Sequence, residues 1–205
     1  RWSRPARAKA RRSPPAERRV TPRSFEIQGR SVTLPVVVRD ATNASATFLV
    51  SSDAAQAWIP DGAFEVAELL PGRALLSIAA IDYRDNDLGD YDEVSIALFV
   101  RARGEPHGWP VFGTVRDLAR GALGTYIHRL PVNQSFTCEA GRTIWGFPKT
   151  VEEIAIEPRG ERLFCRLALD GVHAFTITFP RGGSGRMSWT RYIVSTISFW
   201  MLAFN

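Results

Sequence analysis

Apolar residues return at every second position through much of this chain, which is the period of a half-buried strand. Residues 31–39, β-branched around Pro35, and residues 44–50 are expected strands, with Pro35 suiting an edge or a bulge. Residues 73–83 form a long apolar strand that runs into the acidic stretch Asp85-Asn86-Asp87-Leu88-Gly89-Asp90. In 93–101, Val94, Ile96, Leu98 and Val100 alternate with Glu93, Ser95, Ala97 and Phe99. Glu93 therefore shares a face with small residues, which leaves space for a ligand. Residues 126–130, 151–157, 162–170 and 172–179 continue the strand pattern, and Asp170-Gly171 predicts a tight turn between the last two.

Helical segments are few. Residues 52–58 read as a short helix capped by Ser52, with Asp53 in the first turn and an end before Pro60. A second is expected over 114–122, where Thr114 and Asp117 have near-capping-box spacing. It lies within a Gly- and Pro-rich loop, 102–124, that suits an active-site cover or an oligomer contact. The pattern predicts one α+β domain, mainly antiparallel β with a few short helices, over 25–205.

Charge divides the chain unevenly. Residues 1–24 carry eight arginines and Lys9 against one acid, Glu17, whereas the rest holds 17 basic and 20 acidic residues. The net charge of +5 thus belongs to a basic N-terminal arm, expected to be extended and flexible because it cannot bury a core. The arm lacks interleaved aromatics apart from Trp2, so no nucleic-acid binding is expected; a solvated arm or a packing arm between subunits is the reading. Cys138 and Cys165 are too few for a disulfide framework, and with His107, His128 and His173 they make no metal pattern. No phosphate-binding glycine loop and no serine-nucleophile elbow is present. No stretch reads as a secretory signal, and residues 189–204 read as core strand or helix rather than a membrane span. A cytoplasmic protein is expected.

One residue stands apart chemically. The chain has 24 arginines and two lysines, and outside the arm the sole lysine is Lys149, in Gly141-Arg142-Thr143-Ile144-Trp145-Gly146-Phe147-Pro148-Lys149-Thr150. Arginine keeps its proton, whereas a lysine in an apolar setting can act as an amine nucleophile toward carbonyl carbon. Gly146 and Pro148 make a rigid corner, and Trp145 and Phe147 supply an apolar wall. Arg142 is suited to pair with a substrate carboxylate through its fork of donors.

The run from Gly124 to Leu130, with His128 in it, followed by Glu139 to Lys149, resembles the Schiff-base segment of the acetoacetate decarboxylase family, including its G-R-E-x-W/Y-G-Y/F-P-K-K signature. Gly89-Asp90-Tyr91-Asp92-Glu93 is similar to the family's G-D-Y-x-E, which carries an active-site carboxylate. With a weaker match at 48–60, the resemblance covers residues 45–180. It implies a β-cone or barrel whose interior holds Lys149 as nucleophile and Glu93 as acid/base or substrate-steering carboxylate. Arg142, Trp145, Phe147 and His128 are the implied substrate-binding residues, His128 having a core or interface role as its alternative. No metal and no cofactor is implied, and a homo-oligomer is expected.

The chain departs from the family pattern at several points. Thr150 stands where the signature has a second lysine whose charge activates the first, an effect for which acetoacetate decarboxylase is itself the standard example. Thr143 replaces the signature glutamate, Ile78 falls where a further acid is expected, and Arg39 is the nearest match to an early active-site arginine. The resemblance implies a cofactor-free lyase acting on a small oxo acid through a Schiff base. Its alternatives are an aldolase–dehydratase or condensing enzyme on pyruvate-type substrates, using the same lysine, and an inactive homologue that only binds a small molecule.

Overall fold

The structure is a computed structural model that describes residues 23–60, 62–104 and 110–181. The long apolar runs become the two central strands, β6 (Arg73–Asn86) and β7 (Tyr91–Ala102), of a seven-stranded sheet. Around them lie β3 (Val38–Ser51), β8 (Gly124–Val132) and β9 (Lys149–Val151) in the order β3-β6-β7-β8-β9, with β4 (Phe64–Val66) on β7 and β5 (Glu68–Leu70) on β6. All pairings are antiparallel except β8 with β9. A hairpin of β1 (Arg23–Ile27) and β2 (Arg30–Leu34) and a three-stranded meander of β10 (Glu153–Arg159), β11 (Arg162–Leu169) and β12 (Val172–Pro180) complete the described strands. Among the described residues three helices join them: α1 (Ser52–Gln56), α2 (Pro110–Ala119) and α3 (Ser135–Trp145). The expected class, mainly antiparallel β with short helices, is what the chain adopts; among the described strands the sheets stay open rather than closing into a barrel.

Both faces of the large sheet are covered, which explains why β7 is buried on both sides. Side chains at even positions of β6 and β7, such as Ala80 and Val94, pack against Leu163, Cys165, Leu167 and Phe179 of the meander. Side chains at odd positions, such as Ile81, Tyr83 and Tyr91, pack beneath α3 and the β1-β2 hairpin through Phe136, Ala140, Ile27 and Val32. At the far end of the same odd face, Leu75 and Phe99 lie against Leu118 and Leu123.

Several sequence expectations shift in detail. The strand expected over 31–39 breaks at the cis Leu34–Pro35 bond, since proline cannot donate to a ladder, and it resumes as β3. Ser51, not Ser52, caps α1 by accepting from the Ala54 amide. The second helix begins earlier, at Pro110, and ends at Ala119. The acidic stretch is partly strand: β6 runs to Asn86, whose Oδ1 accepts from Leu88 N and whose Nδ2 donates to Gly89 O. Arg39 pairs with Asp85 and Asp87, and Arg84 with Asp40 and Asp82, so these carboxylates are matched by arginine. β1 starts at Arg23, two residues inside the expected arm. Residues 1–22 and the expected core segment 189–204 lie outside the described residues. The Asp170-Gly171 turn forms as read, with positive φ at both residues (51° and 74°).

Candidate functional site

The site is built by the crossover from β8 through α3 to β9. Phe136, Ala140 and Ile144, spaced four apart, turn one stripe of α3 toward Tyr83 and Tyr91. That helical spacing, and Gly146 as its stop, were the available signals for a helix that strand periodicity missed. Gly146 adopts a left-handed φ of 69°, and its amide bonds back to Arg142 O while the Phe147 amide bonds to Gly141 O. The chain then reverses through Phe147-Pro148 and enters β9, where Lys149 pairs beside Leu130.

This reversal sends the Lys149 side chain back under α3. Its methylenes lie against Gly141: a Cβ there would come within 2.5 Å of Lys149 Cδ and 2.7 Å of Cε. Lys149 Nζ reaches Glu93 Oε2 at 2.6 Å, with the two side chains 4% and 5% exposed. Nζ also lies 5.2 Å from the centre of the Tyr91 ring, within range of its negative face. Tyr91 stacks on Tyr83 with ring centres 4.6 Å apart. Burial, then the Glu93 charge, raise both phenols well above the usual tyrosine range, so both stay protonated. The result is a buried ammonium–carboxylate pair walled by two neutral phenols and α3. Such a pair can exchange a proton directly and deliver a free amine to a carbonyl carbon.

The remaining expected residues fall in two places. Arg142, Phe147 and Thr150 line an open depression of about 450 Å³ with Gly146, Pro148 and Lys149, and Trp145 packs beside Phe147 with ring centres 6.1 Å apart. The Lys149 ammonium is itself turned inward to Glu93, so a substrate approaching from this depression meets the amine only when the corner or the ion pair opens. Trp145 Nε1 is buried without a hydrogen-bond partner. His128 is not brought to Lys149. It sits where the β7-β8 register shifts, between Ile127 and Arg129, and stacks on Trp58 with ring centres 4.4 Å apart. Burial and then the Arg129 charge lower its pKa, and its Nδ1 has no partner. Ile78 points to the meander side, packed with Ala80 and Val94, so it does not face Glu93. The residue opposite Glu93 on β6 is Ile81. Arg39 is held at the sheet edge by Asp85 and Asp87. Among the described residues no group of His, Cys, Asp or Glu is arranged to hold a metal ion, and no helix is long and apolar enough to cross a membrane.

An open antiparallel sheet with a lysine–carboxylate pair buried beneath a crossover helix defines an α+β protein with an amine-bearing internal site. The family model described as acetoacetate decarboxylase (ADC) matches residues 20–187, and the chain belongs to that family. Among solved structures it is similar to acetoacetate decarboxylase from Legionella pneumophila subsp. pneumophila str. Philadelphia 1, with a TM-score of 0.55, 20% identity, and coverage of 71% of this chain and 50% of that one. A second acetoacetate decarboxylase structure gives a TM-score of 0.54 and 18% identity, covering 71% of this chain and 51% of that one. These likenesses establish the fold, and the match spans about half the length of each solved relative. No curated protein matches significantly.

Proposed function

We propose that the chain is a Schiff-base lyase acting on a small oxo acid through Lys149. The observation that carries this reading is the buried contact of Lys149 Nζ with Glu93 Oε2 at 2.6 Å, packed against Gly141 in the family's signature segment. Glu93 takes a proton from the ammonium, and the free amine attacks the substrate's keto carbon. Loss of water gives an iminium, which is an electron sink. In a 3-oxo acid the C–C bond to the carboxylate then breaks, its electron pair moves toward the iminium nitrogen, and carbon dioxide leaves an enamine. Protonation at carbon and addition of water release the ketone and restore the amine. Arg142, exposed on the corner, is suited to receive a carboxylate, and Trp145 and Phe147 supply the apolar side of the entry.

A second reading keeps the iminium and changes the bond broken. Thr150 is exposed and uncharged, and Ile78 faces away, so the charges that accompany the family signature are absent from both positions. An iminium on a 2-oxo acid such as pyruvate instead loses a proton from the adjacent carbon, and the enamine adds to an aldehyde. That is aldolase–dehydratase chemistry with the same lysine. A cytoplasmic homo-oligomer is the proposed setting for either reaction.

Borohydride trapping with acetoacetate and, separately, pyruvate tests the shared step. Peptide mass mapping is expected to locate the reduced adduct on Lys149, absent in Lys149→Arg. If neither acid leaves an adduct while a lysine-dependent decarboxylase is trapped in parallel, the lyase reading gives way to a small-molecule-binding homologue.

A further inference from the structure

Two consecutive residues of β7 hold the two ends of one segment. Glu93 faces the odd side and meets Lys149 Nζ, whereas Asp92 faces the even side, where its carboxyl accepts from the backbone amide of Ile156. Between these two points the chain runs as β9 along β8, with Lys149 beside Leu130 and Val151 beside Val132, and the Glu152 amide bonds to Val132 O at 2.9 Å. It then passes beneath the sheet as β10, where Ile154 and Ile156 pack into the layer that holds Ala80 and Val94. Residues 149–156 thus clasp β8, with the lysine above the sheet and the strand below it.

Asp92 occupies the unspecified position of Gly89-Asp90-Tyr91-Asp92-Glu93, so the family resemblance assigns it no role. Asp82 stands directly opposite it on β6 and is matched by Arg84 at 2.7 Å, while Asn133 Nδ2 donates to Asp92 Oδ2 at 3.2 Å. Cys165, the β11 partner of Ile156, is fully buried, and burial and then the Asp92 charge push its thiol up to about 11. The Ile156 amide favours the charged carboxyl, but burial and the charges of Asp82 and Asp90 outweigh it and raise the pKa from 3.8 to about 6. Lifting β10 lets water reach the carboxylate. Because the chain is continuous, the same movement pulls on β9 and on the contact of Lys149 with Glu93.

We propose that Asp92 is a positioning residue for Lys149: neutral, it holds Ile156 and with it the closed lysine–glutamate pair, and ionised, it loosens the clasp and lets substrate reach the amine. The substrate step rests on the Schiff-base reading; the clasp does not. Between pH 3.8 and about 6 the closed state carries a proton that the open state has released, so opening grows as pH rises through this window and levels off above it. The gain is about a hundredfold at most, and less because the carboxyl is partly exposed.

Native-state hydrogen exchange of residues 149–156 in the wild type and in Asp92→Asn tests the clasp, since asparagine keeps an acceptor for Ile156 and does not ionise. The ratio of wild-type to variant rates is expected near one at pH 4 and at least about tenfold above pH 6, with these amides exchanging ahead of those of β6 and β7 in the wild type. Acetylation at pH 8, referenced to Lys9, should likewise be at least about tenfold faster at Lys149 in the wild type than in the variant. Borohydride trapping with acetoacetate should follow it. A ratio that does not vary with pH, or exchange of 149–156 in step with β6 and β7 in both proteins, overturns the clasp. Exchange that responds while Lys149 acetylation is equal in the two proteins overturns the positioning role. Acetylation that responds while neither acetoacetate nor pyruvate leaves an adduct supports the clasp and removes the Schiff-base reading instead.

Discussion

Gly141 and Lys149 compete for one volume: the space that a Cβ on Gly141 would fill is occupied by Lys149 Cδ and Cε. The glycine is helical rather than left-handed, so its role is clearance and not backbone freedom. Gly141→Ala therefore sets helix propensity against site geometry. Alanine improves helix propensity by up to about 1 kcal/mol, and the atoms it strikes belong to a flexible chain that can move. The expected outcome is Lys149 displaced from Glu93 and an unfolding midpoint below the wild type's, because the buried Glu93 carboxylate left without its partner outweighs the gain in propensity. Mass mapping after amine acetylation reads this, with Lys9, the chain's other lysine, as internal reference. Lys149 should change from protected to reactive. A variant whose Lys149 stays protected shows that the helix, not the lysine, yields.

The buried pair of Lys149 and Glu93 should behave as a unit. Removing one partner strands the other charge in an apolar wall, which costs about 3–5 kcal/mol. Lys149→Met and Glu93→Leu are each expected to lose stability of that order in urea unfolding. The double variant should recover most of it, because two apolar side chains of similar size fill the same space. Additive losses in the double variant would mean that the two side chains are not coupled in solution.

How legible this site was in the chain depends on which physical signal each part carries. The placement of Glu93 at the start of a strand, on a face shared with Ser95 and Ala97, follows from a period of two and survives in the structure. The tight Asp170-Gly171 turn is equally local. α3 was not read, because Gly141 and the β-branched Thr143 and Ile144 weaken helix propensity, and its evidence lay in the four-residue spacing of Phe136, Ala140 and Ile144. The position of Ile78 shows the limit of counting back along a chain. Fifteen residues before Glu93 puts it on the even face, whereas hairpin register sets Ile81 opposite Glu93. His128 was read from its neighbourhood in sequence, and the register shift between β7 and β8 is what sets it against Trp58.

Asp92 offers a pH test on the opposite face. Burial first, and then the Asp82 and Asp90 charges, raise its pKa from the ordinary 3.8 to about 6. Between those two values the folded state holds a proton that the unfolded chain has released, so this group's contribution to stability falls as pH rises toward 6. Above about pH 6 the cost is fully present, reduced by the partial exposure of the carboxyl to solvent. Asp92→Asn should therefore stabilise the protein relative to wild type at pH 8, with the advantage shrinking as pH falls toward 4. Paired urea titrations at several pH values check this. A difference that does not vary with pH would show that Asp92 titrates normally in the fold.

The Asp170-Gly171 turn fixes the register in which β11 meets β12, and that pairing supplies Cys165, Leu167 and Phe179 to the layer beneath β6 and β7. Gly171 has a φ of 74°, and a Cβ added there would meet nothing within 4 Å. Any cost of Gly171→Ala thus comes from the left-handed backbone alone, about 1–2 kcal/mol. Gly171→Asn should cost less, because asparagine tolerates that region better than alanine does. Chemical denaturation of the two variants is expected to rank glycine above asparagine above alanine. Indistinguishable stabilities would mean that the turn relaxes away from its positive φ and that the strand pairing, not the turn, sets the register. The Lys149–Glu93 pair lies on the other face of the sheet, so amine protection at Lys149 should follow global unfolding in these variants and show no separate local loss.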